Sequence, residues 1–190
     1  MRNYAFIDSQ NLNLGVRSDG WRIDYRKFRL YLKNKYNVER AYMFLGAVAG
    51  NQQLYTGLQA AGFILVFKPT VRYVENGKLT VKGNVDAELV PHAAAIEYAN
   101  YEKAIIVSGD GDFQCLIKFL KERDKLLRVL VPNHRYSKLL TPFIKRITQL
   151  NWVRDRLEYD ATGRKKPAQA VGRNLRLSRK GSGSSGRSKP

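Results

Sequence analysis

Four aspartates in this 190-residue chain stand where a fold could gather them: Asp8, Asp86, Asp110 and Asp112. Two of them follow apolar runs. Asp8 comes straight after Tyr4-Ala-Phe-Ile7, and Asp110 follows Ala104-Ile-Ile-Val107 after only Ser108-Gly109. Runs of this length and β-branched content mark strands buried on both faces, as in a parallel sheet covered by helices. Asp112 stands just before Phe113, Leu116, Ile117 and Leu120, which recur at helical spacing, and Asp86 opens another helical stretch. In a parallel sheet the helix after a strand runs back along it, so its first turn lies near the carboxyl edge, where ligands bind. One topology would thus bring all four carboxylates to one edge. Crowded carboxylates raise one another's pKa unless a cation offsets them. An oxygen-only donor set favours Mg²⁺ or Mn²⁺ over zinc, and such an ion can activate water for phosphodiester hydrolysis.

Each aspartate also has a plainer reading. Asp112 could cap the helix that begins at Phe113, Asp86 could favour the positive end of its own helix, Asp8 could close an Asx-turn, and Asp110 could be set by its flanking glycines. Asn11 and Ser108 are candidate supports for the site, with helix capping the alternative for Asn11. His92 and His134 lack metal-ligand spacing and read as structural or solvent-facing.

The elements that would position these residues alternate between strand and helix. Asp24 reads as an N-cap, with Tyr25, Phe28, Leu32 and Tyr36 forming an apolar stripe behind it. Val38 to Leu45 is a second strand, Gln52 to Ala61 a helix stopped by Gly62, and Phe63 to Phe67 a third buried strand. Around Asn76-Gly77, Val71 to Val81 alternates as a β-hairpin. Next comes a helix from about Val85 to Asn100, with Val85, Leu89, Ala93 and Ile96 on one face. Leu126 to Val131 is a strand stopped by Pro132, Ser137 to Ile144 a short helix broken near Pro142, and Ile147 to Val153 a weak final strand. Two units are expected: residues 1–155 as an α/β domain with a hairpin insertion, and 156–190 as a basic, Gly/Ser-rich, disordered tail.

Charge narrows the partners. The chain carries 34 Lys and Arg against 16 Asp and Glu, a net +18. Residues 161–190 hold nine of the basic residues and no acid, so the first 160 residues are basic as well. Nucleic acid is the favoured partner class, because neutralised phosphates release counterions. No segment has the length of a membrane span and no signal peptide is evident, so the expectation is a cytoplasmic protein without a membrane partner. The lone Cys115 rules out an intrachain disulfide and reads as a buried packing residue. No phosphate loop, dinucleotide fingerprint or Gly-x-Ser-x-Gly elbow occurs. A nucleotide-sugar enzyme using Asp110-Gly-Asp112 would leave the +18 unexplained.

Phe6-Ile-Asp8-Ser-Gln-Asn11, Lys82-Gly83-Asn-Val-Asp86-Ala-Glu-Leu89 and Val107-Ser-Gly-Asp110-Gly-Asp112-Phe113 resemble, in order, the three signatures of the NYN domain, LabA-like members of the PIN-domain ribonuclease superfamily. The resemblance spans about residues 1–150. It implies a three-layer α/β/α sandwich with a central, mainly parallel sheet. It also implies a Mg²⁺- or Mn²⁺-dependent endoribonuclease with Asp8, Asp86, Asp110 and Asp112 as metal-binding and catalytic residues. Family members often carry a further aspartate where this chain has His92. Lys82 is a candidate phosphate contact, with a solvated surface lysine as its plain reading. Arg72, Tyr73 and Lys78 could meet RNA by charge and stacking, or simply form an exposed hairpin. A homodimer and, through the tail, a ribosome or other ribonucleoprotein are further candidate partners. The rival reading is a non-catalytic RNA-binding or regulatory module of the same fold.

Overall fold

The computed structural model describes residues 2–68, 71–75, 78–82 and 86–160, without the side chains of the hairpin strands and of residues 86–87. Of the expected tail, residues 161–190 lie outside this set. In chain order the elements are β1 (Asn3–Asp8), α1 (Ser9–Ser18), α2 (Tyr25–Tyr36), β2 (Val38–Gly46), α3 (Gln52–Ala60), β3 (Ile64–Lys68), β4 (Val71–Glu75) and β5 (Lys78–Lys82). They continue with α4 (Asp86–Pro91), β6 (Lys103–Val107), α5 (Gln114–Glu122), β7 (Leu126–Val131), β8 (Ile147–Gln149) and α6 (Arg154–Leu157).

Six strands form one sheet in the order β3-β2-β1-β6-β7-β8, and every neighbouring pair is parallel. The apolar runs explain the centre: all six residues of β1 are buried, as are Ala104 to Val107 of β6. Alternate side chains enter two separate cores. Tyr4, Phe6, Phe44 and Ile106 pack with Leu89 of α4 and Leu116, Ile117 and Leu120 of α5. Ala5, Ile7, Met43 and Val107 pack with Leu12 and Val16 of α1, Phe28 and Leu32 of α2, Leu58 of α3 and Leu157 of α6. Helices therefore cover both faces, which gives the three-layer α/β/α sandwich. The hairpin strands β4 and β5 form a separate antiparallel pair in which Glu75 is opposite Lys78; the Asn76-Gly77 turn lies outside the described residues.

Several elements depart from expectation for identifiable reasons. Residues 9–15 look polar and turn-forming, yet Ser9–Ser18 is a helix because Asp8 caps it and Leu12 and Val16 are buried. β3 is an edge strand rather than a buried one, and Ile64 and Phe67 remain about two-fifths exposed. The helix expected through Asn100 is α-helical only to Pro91, and His92–Ile96 continues as a π turn. The wider turn breaks the 3.6-residue phase, so Ile96 swings out to 59% exposure. Lys138–Arg146 runs past Pro142 as 3₁₀ turns, burying Leu140 and Phe143 at the three-residue spacing of that helix. The final extended stretch stops at Gln149, and a 3₁₀ turn, Leu150–Val153, replaces the rest. Cys115 is exposed, not buried.

The expected boundary at residue 155 falls inside α6. Leu157 is buried, its carbonyl accepts from the Asp24 N–H at 2.7 Å, and Ile23 bridges to Glu158. The compact unit extends to Asp160.

Two glycines test this packing. A Cβ at Gly15 of α1 would collide with the Pro132 ring, whereas one at Gly57 of α3 meets nothing. Gly15→Ala should destabilise by about 1–3 kcal/mol, and Gly57→Ala should stabilise by about 0.5–1 kcal/mol. Urea unfolding of both variants checks the pair.

Candidate active site

β1 and β6 are neighbours at the centre of the sheet, but the strands that follow them lie on opposite sides, β2 beyond β1 and β7 beyond β6. The strand order reverses between them, and the carboxyl edge at such a point is left open by the crossovers. Asp8 ends β1 there, and Ser108, Gly109 and Asp110 follow β6.

Asp8 is only 5% exposed. One carboxylate oxygen, Oδ1, accepts the Asn11 backbone N–H at 3.0 Å and so caps α1. The other, Oδ2, accepts from the Ser108 hydroxyl at 3.2 Å. Ser108 Oγ in turn accepts the Asp110 N–H at 3.1 Å. The Asn11 side-chain oxygen accepts the Gly109 N–H at 2.8 Å, so α1 and the turn after β6 are tied together twice. Asp110 Oδ1 accepts the Asp112 N–H at 3.1 Å and caps the 3₁₀ turn Gly111–Phe113. From the other side, the Ser137 N–H donates to the Gly109 carbonyl at 2.9 Å, and a side chain at Gly111 would collide with Ser137.

Burial pushes the Asp8 carboxyl above its ordinary pKa. The Asn11 N–H and the Ser108 hydroxyl oppose that push, the Asp110 charge adds to it, and the Lys68 charge opposes it. Asp8 receives these two donors among the described residues, against about four lone-pair sites on a carboxylate. Oxygen donors with spare acceptor capacity and uncompensated negative charge suit Mg²⁺ or Mn²⁺.

Asp8, Asn11, Ser108 and Asp110 therefore meet in one network. Asp112 is exposed and donates its N–H to Asp110, which caps the 3₁₀ turn; the helix expected to take Asp112 as its cap, α5, has Phe113 at its N-cap and no side-chain cap bond. Asp86 starts α4, with its side chain outside the described set. Among the described residues, no three His, Cys, Asp or Glu side chains gather closely enough to hold a metal by themselves. Arg72 and Tyr73 on β4 are in register with Val81 and Thr80, and Lys78 and Lys82 on β5 with Glu75 and Val71. The His92 Nδ1 lies 2.9 Å from the Glu88 carbonyl, and its ring meets Phe44 edge-on at 5.2 Å.

Lys68 was not foreseen. It ends β3, is 5% exposed, and its charge reaches Asp8 across β2. The residue of β2 in register with it is Gly46, which has no side chain to intervene. A charged residue directly after the apolar run Phe63–Phe67 was the available signal, the same one that singles out Asp8.

The sequence pattern of the NYN domain family matches residues 3–144. The chain is similar to the low amplitude and bright protein LabA of Synechococcus elongatus, with 26% identity over 164 residues that cover 80% of this chain and 86% of that one. It is also similar in structure to a Vibrio parahaemolyticus protein of unknown function, known from a crystal structure. The TM-score there is 0.69 and the identity 24%, covering 83% of this chain and 96% of the other.

The raised Asp8 pKa has a measurable sign. An ionised buried carboxylate costs stability above its folded-state pKa, and the cost is relieved as pH falls through that value. In EDTA, the melting temperature of wild type relative to Asp8→Asn should rise as pH is lowered from about 7 towards the model-peptide range near 4. A flat or falling difference would show that the carboxylate is already compensated.

Proposed function

The chain belongs to the NYN domain family, and on that premise we propose that it is a metal-dependent endoribonuclease acting on single-stranded or structured RNA. The observation that carries the reading is the buried Asp8 carboxylate at the strand-order reversal, with the Asp110 charge beside it and donors for only part of its acceptor capacity. Asp8 and Asp110 are the principal ligands of Mg²⁺ or Mn²⁺ in this proposal. Asp86, at the start of α4, and Asp112 complete the acidic set directly or through water. The bound ion would neutralise phosphodiester charge and lower the pKa of a water molecule.

The chain's own residues divide the remaining work. Ser108 holds Asp8 and the Asp110 backbone in one register, and Asn11 fixes the turn between them through Gly109. Asp110, half-buried and so open to water, would orient a water molecule. Lys82, Arg72, Tyr73 and Lys78 on the hairpin would contact the strand, and the basic residues beyond 160 would add salt-sensitive affinity for RNA or a ribonucleoprotein. No helix among the described residues is long and apolar enough to cross a membrane, and a cytoplasmic location belongs with the proposal. One observation favours an RNA-binding or regulatory module instead: His92 is committed to Glu88 and Phe44 at the place where family members often carry another aspartate.

The test uses labelled single-stranded RNA with wild type and Asp110→Asn, each with Mg²⁺, Mn²⁺ or EDTA. Cleavage is expected only for wild type with metal. The variant should be slower by about 100-fold or more, the scale for losing a group that moves protons or stabilises charge in the transition state, while RNA affinity holds. Binding without cleavage across several RNAs and both metals would establish the module reading in its place. Cleavage equal in Asp110→Asn and in EDTA would overturn the acidic site.

A further inference from the structure

Beside the acidic crevice lies a second concavity of different chemistry, a cleft of about 350 Å³ between α1 and the segment joining β2 to α3. It starts one residue beyond Asp8. Its α1 wall presents Ser9, Asn13 and Arg17 at four-residue spacing, hence along one side of the helix. Arg22 follows from the connection to α2, and no carboxylate lines the cleft. Neither Arg17 nor Arg22 forms an ion pair among the described residues. The lining also includes two apolar side chains left in solvent, Val48 and Leu54, each about half exposed, and the Arg22 guanidinium lies over the Tyr159 ring at 5.6 Å.

The far wall is held open. The Tyr55 hydroxyl accepts the Val48 N–H at 2.9 Å and lies 3.2 Å from the Gly46 carbonyl, pinning the chain as it leaves β2. The Tyr55 ring is braced edge-on by Phe67 with centroids 4.9 Å apart. On the near side Tyr25, at the start of α2, lines the cleft together with Ser9. One rim thus follows directly on the end of β1 that carries Asp8, and the other on the end of β2, the next strand in the sheet.

We propose that this cleft is a nucleotide subsite, taking one base of an RNA strand against Val48 and Leu54 and its phosphate at Arg17 and Arg22, next to the acidic site. A base offers an apolar face with a polar edge, which matches apolar side chains flanked by the amides of Asn13 and Asn51. Guanidinium groups suit phosphate through paired donors. The acidic crevice has the wrong charge to hold a phosphate without a cation, so a neighbouring basic cleft supplies the anchoring that it lacks. The assignment rests on the RNA reading above and adds where one nucleotide of that substrate sits.

The experiment uses full-length protein carrying Asp110→Asn, so that binding is read without cleavage, and a labelled single-stranded RNA of about twelve nucleotides. Adding Arg17→Ala and Arg22→Ala together should weaken binding several-fold near physiological salt. It should also make the slope of log K against log salt shallower by about 1.4, at roughly 0.7 per lost contact on a single strand. Leu54→Ser should weaken binding while leaving the slope unchanged. Photocrosslinks from 4-thiouridine in the same RNA should fall in residues 45–55. Unchanged affinity and slope in the arginine variant, with crosslinks confined to 71–82 or 161–190, would overturn the subsite. Equal losses for RNA and a poly-glutamate peptide, with Leu54→Ser without effect, would mark a general acidic-peptide site and overturn it too. If wild type binds RNA through the cleft yet cleaves nothing, the nuclease reading fails and the subsite stands.

Discussion

The placement of one charge, the Asp8 carboxylate, constrains the centre of this molecule. β1 is buried along its whole length, so its last residue has little access to water. An unpaired carboxylate there would cost several kcal/mol. Donors must come from what is adjacent: the first turn of α1 on one side and the exit of β6 on the other. Meeting that demand places Ser108 and, through its hydroxyl, the Asp110 backbone. Asn11 then finds the Gly109 N–H within reach, and the segment after β7 closes over both glycines. The satisfaction is incomplete, since the carboxyl remains raised above its ordinary pKa. In the proposed reading, that residual charge is what a bound cation would offset.

The carboxylates sit in a protein of net charge +18. A field of that size draws polyanions towards the surface, while the acidic crevice repels them locally. Separation of the two signs resolves the opposition. Lys68 stands on the β3 side of the acidic edge, and Arg17 and Arg22 line the adjoining cleft. In the proposed reading, a strand of RNA lying across both would meet cations on its phosphates and present one phosphodiester to the aspartates. The reach of this arrangement is short, since screening at physiological salt acts within about 8 Å.

Departures from regular helix shape how that edge is covered. The π turn at His92–Ile96 takes α4 out of phase just after Pro91, exposing Ile96 while seating His92 on Phe44. The 3₁₀ run at Lys138–Arg146 accommodates Pro142 and lets Leu140 and Phe143 share one buried side. Both are adjustments of helical pitch to a core whose spacing the sheet sets.

Hydrophobic periodicity was enough to recognise the parallel sheet, the strand exits at Asp8 and Asp110, the helix of Phe113, Leu116, Ile117 and Leu120, and the Asp24 cap, because each depends on neighbours a few residues away. The support roles of Asn11 and Ser108 were legible as types and positions, but their partners were not: each bond spans about a hundred residues. A long separation in sequence also hid Lys68, whose charge reaches Asp8 across the intervening strand β2. Solvent exposure was the other blind spot. Phe63–Phe67 looks like a central strand, and Cys115 like a core residue, until sheet order places one at an edge and helix rotation turns the other outward. A run of residues encodes its own period and ends. Which run lies beside which, and so which charges meet, follows from the packing of the whole sheet.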